Sequence, residues 1–421
     1  MKIKQVRSRW VLDSRGEPTV EVDVVLASGA VGRASVPAGA SVGMFEAAEL
    51  RDGTKQFFGR GVSNALNNIE HVIAPALVDK DAGHQESIDA LLCAIDGTAN
   101  KKRLGANAIL AVSLATAKAA AQAQGLPFYR YIAHLSGSKP SLPVPMFNIL
   151  NGGAHAAGVM DLQELMIIPK SAHDIYSAVR MGAEVYHELK VSLSNRRFGT
   201  YVGDEGGFAP RGMQYVGKAL DMVMHAIAAA GYEPGKDIAI GLDVAASELY
   251  RHGRYVLSQE GHERGARGMT IWYDQLLTQY PIASIEDPFD ESAWGDWRSF
   301  TATHQNVQIV ADDLVTTNEK RLTKAITQAA ANTLLIKPNQ IGTLTQTIHA
   351  AKAAQAAGWR TVMSHRSGET EDVAIAHLAV GLGCGQIKAG ATARGERTAK
   401  YNELLRISES LKTDALAPVW L

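Results

Sequence analysis

The chain has 421 residues, more than one ordinary domain holds, and its 46% apolar and 20% charged side chains are the profile of a globular protein. Its 42 basic residues balance 43 acidic ones to a formal charge of −1, which leaves no electrostatic footprint for nucleic acid or an anionic membrane. Cys93 and Cys384, the two cysteines, stand far apart in apolar contexts, so a disulfide framework is excluded and buried, reduced thiols of a cytoplasmic protein are expected.

In chain order, the N-terminal "MKIKQVRSRW" is basic but runs into "LDSRGEPT" and not into an apolar stretch, unlike a secretory signal. "TVEVDVVLA" (19–27) alternates apolar and acidic residues as a half-buried antiparallel strand does. "GAVGRASVP" returns after a turn at Ser28-Gly29. Helical patterns are expected from Ala48 onward and again over 105–125. That second window is the most apolar of the chain, yet Asn107, Lys118 and Gln122 interrupt it. It predicts a buried Ala-rich helix, because a membrane span wants about 20 uninterrupted apolar residues. Strands followed by helices predict a small α+β domain over residues 1–135. "SGSKPSLPVP" (136–145) has the composition of a domain boundary.

From residue 136 to 421 the rhythm changes. "VPMFNIL", "LQELMIIP", "IAIGLD", "IASIED", "VQIVADD", "NTLLIK", "RTVMSH" and "GQIK" are short apolar runs without polar alternation. Amphipathic stretches such as "NEKRLTKAITQAAA" lie between them. This pattern predicts a parallel sheet buried on both faces. About eight strands suit a TIM-type α/β barrel, with an open doubly wound sheet as the alternative. No GxGxxG follows a first strand, so a dinucleotide site has no support. One loop stands out: "YVGDEGGFAP" (201–210) sets Asp204 and Glu205 among glycines, where neither helix nor strand forms comfortably.

Polar residues close the runs in succession: Asp243, Glu286, Asp312, Lys337, Ser364 with His365, and Lys388. In a barrel these positions converge at the carboxyl-end mouth. Three carboxylates are too few to cage Ca²⁺ but suit Mg²⁺, which keeps waters and takes substrate oxygens. A lysine beside a cation and a second lysine is expected to have a lowered pKa and to act as a base. A Schiff-base aldolase also keeps a lysine in a barrel but has no need of three acids. Metal plus lysine base predicts proton abstraction beside a carboxylate.

The strings "LDSRGEPTVEV", "PAGASVG", "NGGAHA", "LQELMIIP", "GDEGGFAP", "GLDVAASE", "SIEDPF", "ADDL", "LIKPNQIGTLT", "SHRSGETED", "GQIKAGA" and "RGERTAKYN" resemble, in order, the successive motifs of the enolase family. The resemblance runs from residue 12 to residue 402. It implies a C-terminal TIM-type α/β barrel under an N-terminal α+β capping domain, whose lid loop lies near 37–45. It further implies a cytoplasmic enzyme, a homodimer or an assembly of dimers. The implied reaction is reversible dehydration of 2-phosphoglycerate to phosphoenolpyruvate, with two Mg²⁺ per active site. By that resemblance Asp243, Glu286 and Asp312 hold the first Mg²⁺, and Ser41 completes the second site. Lys337 is the base at C2, and Lys388 pairs with the substrate carboxylate. Glu205 is the acid for the C3 hydroxyl, kept protonated by Glu164. Arg366 and Ser367 bind phosphate, His155 arrives on a glycine-hinged lid, and Gln163 and His365 contact substrate or its neighbours.

Several positions depart from the family pattern: Ala38, Val42, Phe147, Leu165, Ala389, Thr392 and Gly395. They predict drift in the lid and the pocket walls. That drift motivates an alternative, a diverged paralogue acting on a phosphonate or other analogue of 2-phosphoglycerate. A surface-binding or structural role could only be additional, since every chemistry residue is kept.

Overall fold

Three antiparallel strands open the chain, β1 (Ile3–Leu12), β2 (Pro18–Leu26) and β3 (Val31–Ser35), in that spatial order. The computed structural model describes residues 1–41, 43–156, 158–413 and 415–418; Val42, one of the departures above, lies outside them. Alternation predicted β2 and β3 but not β1. Only Ile3 of β1 is buried, so pairing with β2, register Arg9↔Glu21 and Trp10↔Val20, holds the strand in place of an apolar face. Its arginines suit a sheet edge: Arg9 pairs with Glu21 and Asp23, and Arg33 Nε reaches Asp23 Oδ1 at 2.6 Å.

The predicted Ala-rich helix spans Ala106–Ala123 and is buried along almost its whole length. Small side chains let it lie directly on β3. A Cβ at Gly32 would fall 2.0 Å from the Ala115 carbonyl oxygen, so only glycine permits this approach. No helix starts at Ala48. Asp52 accepts hydrogen bonds from Ser63 N and Asn64 N (both 2.8 Å) and so fixes the helix start at Ser63. Cys384 is buried as expected, whereas Cys93 is half-buried.

The second half closes into an eight-stranded barrel. Its strands are β4 (Val144–Asn151), β5 (Glu164–Pro169), β6 (Ile238–Asp243), β10 (Ile282–Glu286), β11 (Gln308–Ala311), β12 (Thr333–Ile336), β13 (Arg360–Ser364) and β14 (Gln386–Lys388). A small sheet of β7 (Tyr250–Arg251), β8 (Arg254–Leu257) and β9 (His262–Arg264) is inserted after β6. Val144, Met146, Met166, Ile168, Ala239, Val310, Leu335 and Val362 fill the barrel interior.

The barrel is not all parallel, as the sequence pattern had suggested. β5 runs antiparallel to both β4 and β6. A parallel pair needs a crossover, usually a helix, and among its described residues the segment from β4 to β5 carries only a single turn at Gly153–His155. The reversal brings the beginning of β5 to the mouth, where Glu164 pairs in register with Asp243 and Asn151. Two helices, Ile175–Asn195 and Val216–Ala229, then lead back to β6, and the glycine-rich acidic loop joins them at the mouth.

Candidate active site

The charged groups at the mouth follow from strand periodicity. Side chains two residues apart share a face. Asp312 therefore points inward like Val310, Lys337 like Leu335, Glu164 like Met166, and Lys388 like Gln386. Register sets Glu286 beside Asp243 and Asp243 beside Glu164. All the site residues read from the sequence except Glu286 and Asp312 line one small cavity. A larger, more open cavity lies at the barrel's other end beside Lys139, Gln308 and Lys352, and none of these residues borders it.

Lys388 is the electrostatic centre. Its Nζ lies 2.8 Å from Glu286 Oε1, 3.1 Å from Glu164 Oε2 and 3.4 Å from Asp243 Oδ2. Burial disfavours its ammonium, yet Glu164, Glu286 and Asp243 hold its pKa well above the usual lysine value. Gln163 Nε2 adds a hydrogen bond to Asp243 Oδ2 at 3.2 Å.

Lys337 has an acid partner of its own. Burial, Arg366 and Lys388 all favour the neutral amine, but an ion pair with Asp312 outweighs them and raises its pKa. Asp312 Oδ1 also accepts from Gln340 Nε2 (2.8 Å). Its backbone N–H donates to Asp287 (3.0 Å).

The acidic loop reaches the mouth by pairing with the end of β4. Asn151 N donates to Phe208 O (2.8 Å) and Phe208 N to Ile149 O (2.9 Å). Gly206, at φ +85°, makes the turn that a Cβ would drive into the Ala393 carbonyl. Glu205 is thereby buried among Asn148, His155 and His365. Asn148 Nδ2 donates to its Oε2 at 2.8 Å, His155 Nε2 lies 3.5 Å from Oε1, and His365 Nε2 lies 3.2 Å from Oε2.

The two glutamates are shifted in opposite directions. Burial and the Glu205 charge push Glu164 well above the usual carboxylate range despite Lys388. Burial also presses on Glu205, but His155 and His365 overcome it and hold Glu205 well below that range. His155 sits between the two, 3.6 Å from Glu164 Oε1. Burial lowers the His155 pKa against the pull of Glu205. Burial also takes His365 down to about 3, against Glu205 and with Arg397 and Lys388.

Arg366 reaches the cavity from the loop after β13. Its guanidinium forks onto Glu46 (2.8 and 3.2 Å) and donates to the Ser41 carbonyl (2.8 Å). Ser367 Oγ accepts from Ala40 N at 2.6 Å. Segment 37–46 is thus tied to the barrel through the groups read as phosphate-binding.

The buried acids fit a small hard cation by donor type. Among the described residues, the groups whose donor atoms lie within 4.8 Å of one another are Asp287-Asp312-Asp313 and His155-Glu164-Glu205. Asp243, Glu286 and Asp312 do not close to that distance as a set, since Lys388 and Lys337 occupy their carboxylates.

Glu46, Asn148, Asp287, Gln340 and Arg397 touch the site residues directly, and sequence reading missed them. Asp287, Gln340 and Arg397 lie inside quoted strings, "SIEDPF", "LIKPNQIGTLT" and "RGERTAKYN", so a signal existed for them. The departures among the described residues, in contrast, do not line the cavity. Phe147 packs on Tyr401 with ring centroids 4.8 Å apart, Leu165 is in the core, and Ala38 meets Gly368 through backbone. The expected drift of the pocket walls is absent among the described residues.

Residues 3–132 match the family model described as "Enolase, N-terminal domain", and residues 139–417 match "Enolase, C-terminal TIM barrel domain". The chain is 51% identical over 414 residues to the enolase of Acidothermus cellulolyticus, covering 97% of this chain and 94% of that protein.

Proposed function

The chain belongs to the enolase family, and from that premise we propose how its own residues share the chemistry. The enzyme is a hydro-lyase that dehydrates 2-phosphoglycerate reversibly to phosphoenolpyruvate. What carries the division of roles is the set of buried acids and two lysines on successive strand ends around one cavity.

Asp243, Glu286 and Asp312 would hold one Mg²⁺, and Ser41 would help to hold a second; such cations would supply positive charge against the substrate carboxylate and the charge that develops on it. Lys337 takes the C2 proton, with Lys388 and Arg366 pressing its ammonium toward the neutral amine. Lys388 pairs with the substrate carboxylate. Hydroxide is a poor leaving group, so the C3 oxygen needs a proton, and Glu205 delivers it. Glu164 and Glu205, both buried and close together, share one proton, since two neighbouring carboxylates resist being charged at once. Arg366 and Ser367 hold the phosphate, the guanidinium by exchanging Glu46 for phosphate oxygens. Gln163, His155 and His365 complete the wall.

The domains divide at 135/136, with 37–45 as the lid. No helix of the described residues is long and apolar enough to cross a membrane. The family resemblance supports a cytoplasmic homodimer or assembly of dimers, which light scattering after size exclusion would test. Turnover of 2-phosphoglycerate should stop on chelation and return with Mg²⁺. Turnover indifferent to chelation would overturn the metal assignment.

A further inference from the structure

The start of the C-terminal helix Gly395–Leu411 carries Arg397, a fully buried arginine that the roles above leave unused. Its guanidinium joins three segments. Nη1 donates to His365 Nδ1 (2.6 Å) and to the Arg366 carbonyl (2.6 Å). Nη2 donates to the carbonyls of Ser367 (2.5 Å) and Asp204 (2.9 Å), and to Ser14 Oγ at 3.4 Å. The loop of Arg366 and Ser367, the loop of Glu205 and the N-terminal domain therefore meet on one side chain.

A guanidinium has donors and no acceptor. His365 Nδ1 must accept, so it carries no hydrogen, and the ring's one proton is on Nε2. That nitrogen faces Glu205 Oε2 at 3.2 Å, off the line of an ideal hydrogen bond. An imidazolium would turn an N–H against Arg397. The groups facing the ring are Arg397, Glu205 and Lys388.

We propose that Arg397 is a positioning residue: it fixes His365 as the neutral Nε2–H tautomer and holds that N–H and the Glu205 loop in register for proton delivery to C3. This rests on the reading of Glu205 as the acid. It predicts that dehydration depends on Arg397 more than C2 proton removal does.

The test is Arg397→Met and Arg397→Lys in the Mg²⁺-loaded enzyme. ¹⁵N-histidine spectra report the tautomer, with the His365 signals assigned by their loss in His365→Gln. The parent should show an unprotonated Nδ1 and a protonated Nε2. Arg397→Met should show mixed or reversed tautomers, and Arg397→Lys, a donor-only cation, should restore the parent pattern. In Arg397→Met, dehydration should fall roughly 100-fold, the lower end of a general acid's contribution, and C2 deuterium exchange less than tenfold.

An unchanged His365 pattern in Arg397→Met, or equal losses of exchange and dehydration, would overturn the proposal. If Arg397→Met does not fold, Arg397→Lys decides: parent spectra support the proposal, and altered ones with full dehydration refute it. Glu205→Gln runs alongside. Dehydration surviving in that variant would sink the acid assignment, while the spectra still judge Arg397 on its own.

Discussion

Two layers of the same barrel strands face the axis, two residues apart, and they differ in everything except burial. The lower layer, which includes Met146, Met166, Val310, Leu335 and Val362, is mostly apolar and carries no charge. Above it stand Glu164, Asp243, Asp312, Lys337 and Lys388, almost equally removed from water. An apolar side chain gains by leaving water, whereas a charge loses unless it finds a partner. Each upper residue therefore has its counter-charge within about 3.5 Å or less, and the layer is arranged for chemistry at the cost of stability.

The contrast breaks most visibly at Lys337. Lys337→Ala should slow dehydration roughly 10⁴-fold, the upper range for a positioned base, and abolish C2 deuterium exchange. Exchange at the parent rate would show that another group is the base. Next comes Glu205→Gln, where dehydration should drop roughly 10²- to 10³-fold while exchange survives, measured on the same samples by product formation and isotope loss. In the apolar layer Met146→Ala should cost about 3 kcal/mol in denaturant unfolding, with KM for 2-phosphoglycerate nearly unchanged. A collapse of turnover in the folded variant would mean that the layers are coupled.

The smallest effect belongs to a charge near the surface. Asp23 is pressed upward by burial, but Arg33 and Arg9 hold it at about 2, below its ordinary 3.8. Its contribution is therefore present above pH ~4 and lost as pH falls through about 2. With Arg33 largely exposed, solvent screening leaves about 1 kcal/mol. Unfolding free energies of parent and Asp23→Asn should converge between those pH values. A gap persisting at pH ~2 would assign the effect to packing.

Strand by strand, the sequence read well where burial is two-sided. "IAIGLD" matches β6 end to end, and "NTLLIK", "RTVMSH" and "GQIK" contain β12, β13 and β14 with their polar terminators. It failed on β1, where pairing and not an apolar face makes the strand. It also failed on the direction of β5, since apolar runs carry no sign of orientation. In the site, residue types at strand ends were readable, but the partners were not. Glu46 on Arg366, Asn148 on Glu205 and Arg397 on His365 are separated from their targets by 320, 57 and 32 positions.

Sequence alone determined the residue inventory: which carboxylates, lysines and glycines stand at strand ends and in the acidic loop, and the motif order that carries the family. Tertiary structure decided which charges meet. Asp312 raises the Lys337 pKa, burial and the Glu205 charge raise that of Glu164, and His155 with His365 lowers that of Glu205. A pKa depends on the distances and burial of groups that the chain order does not bring together.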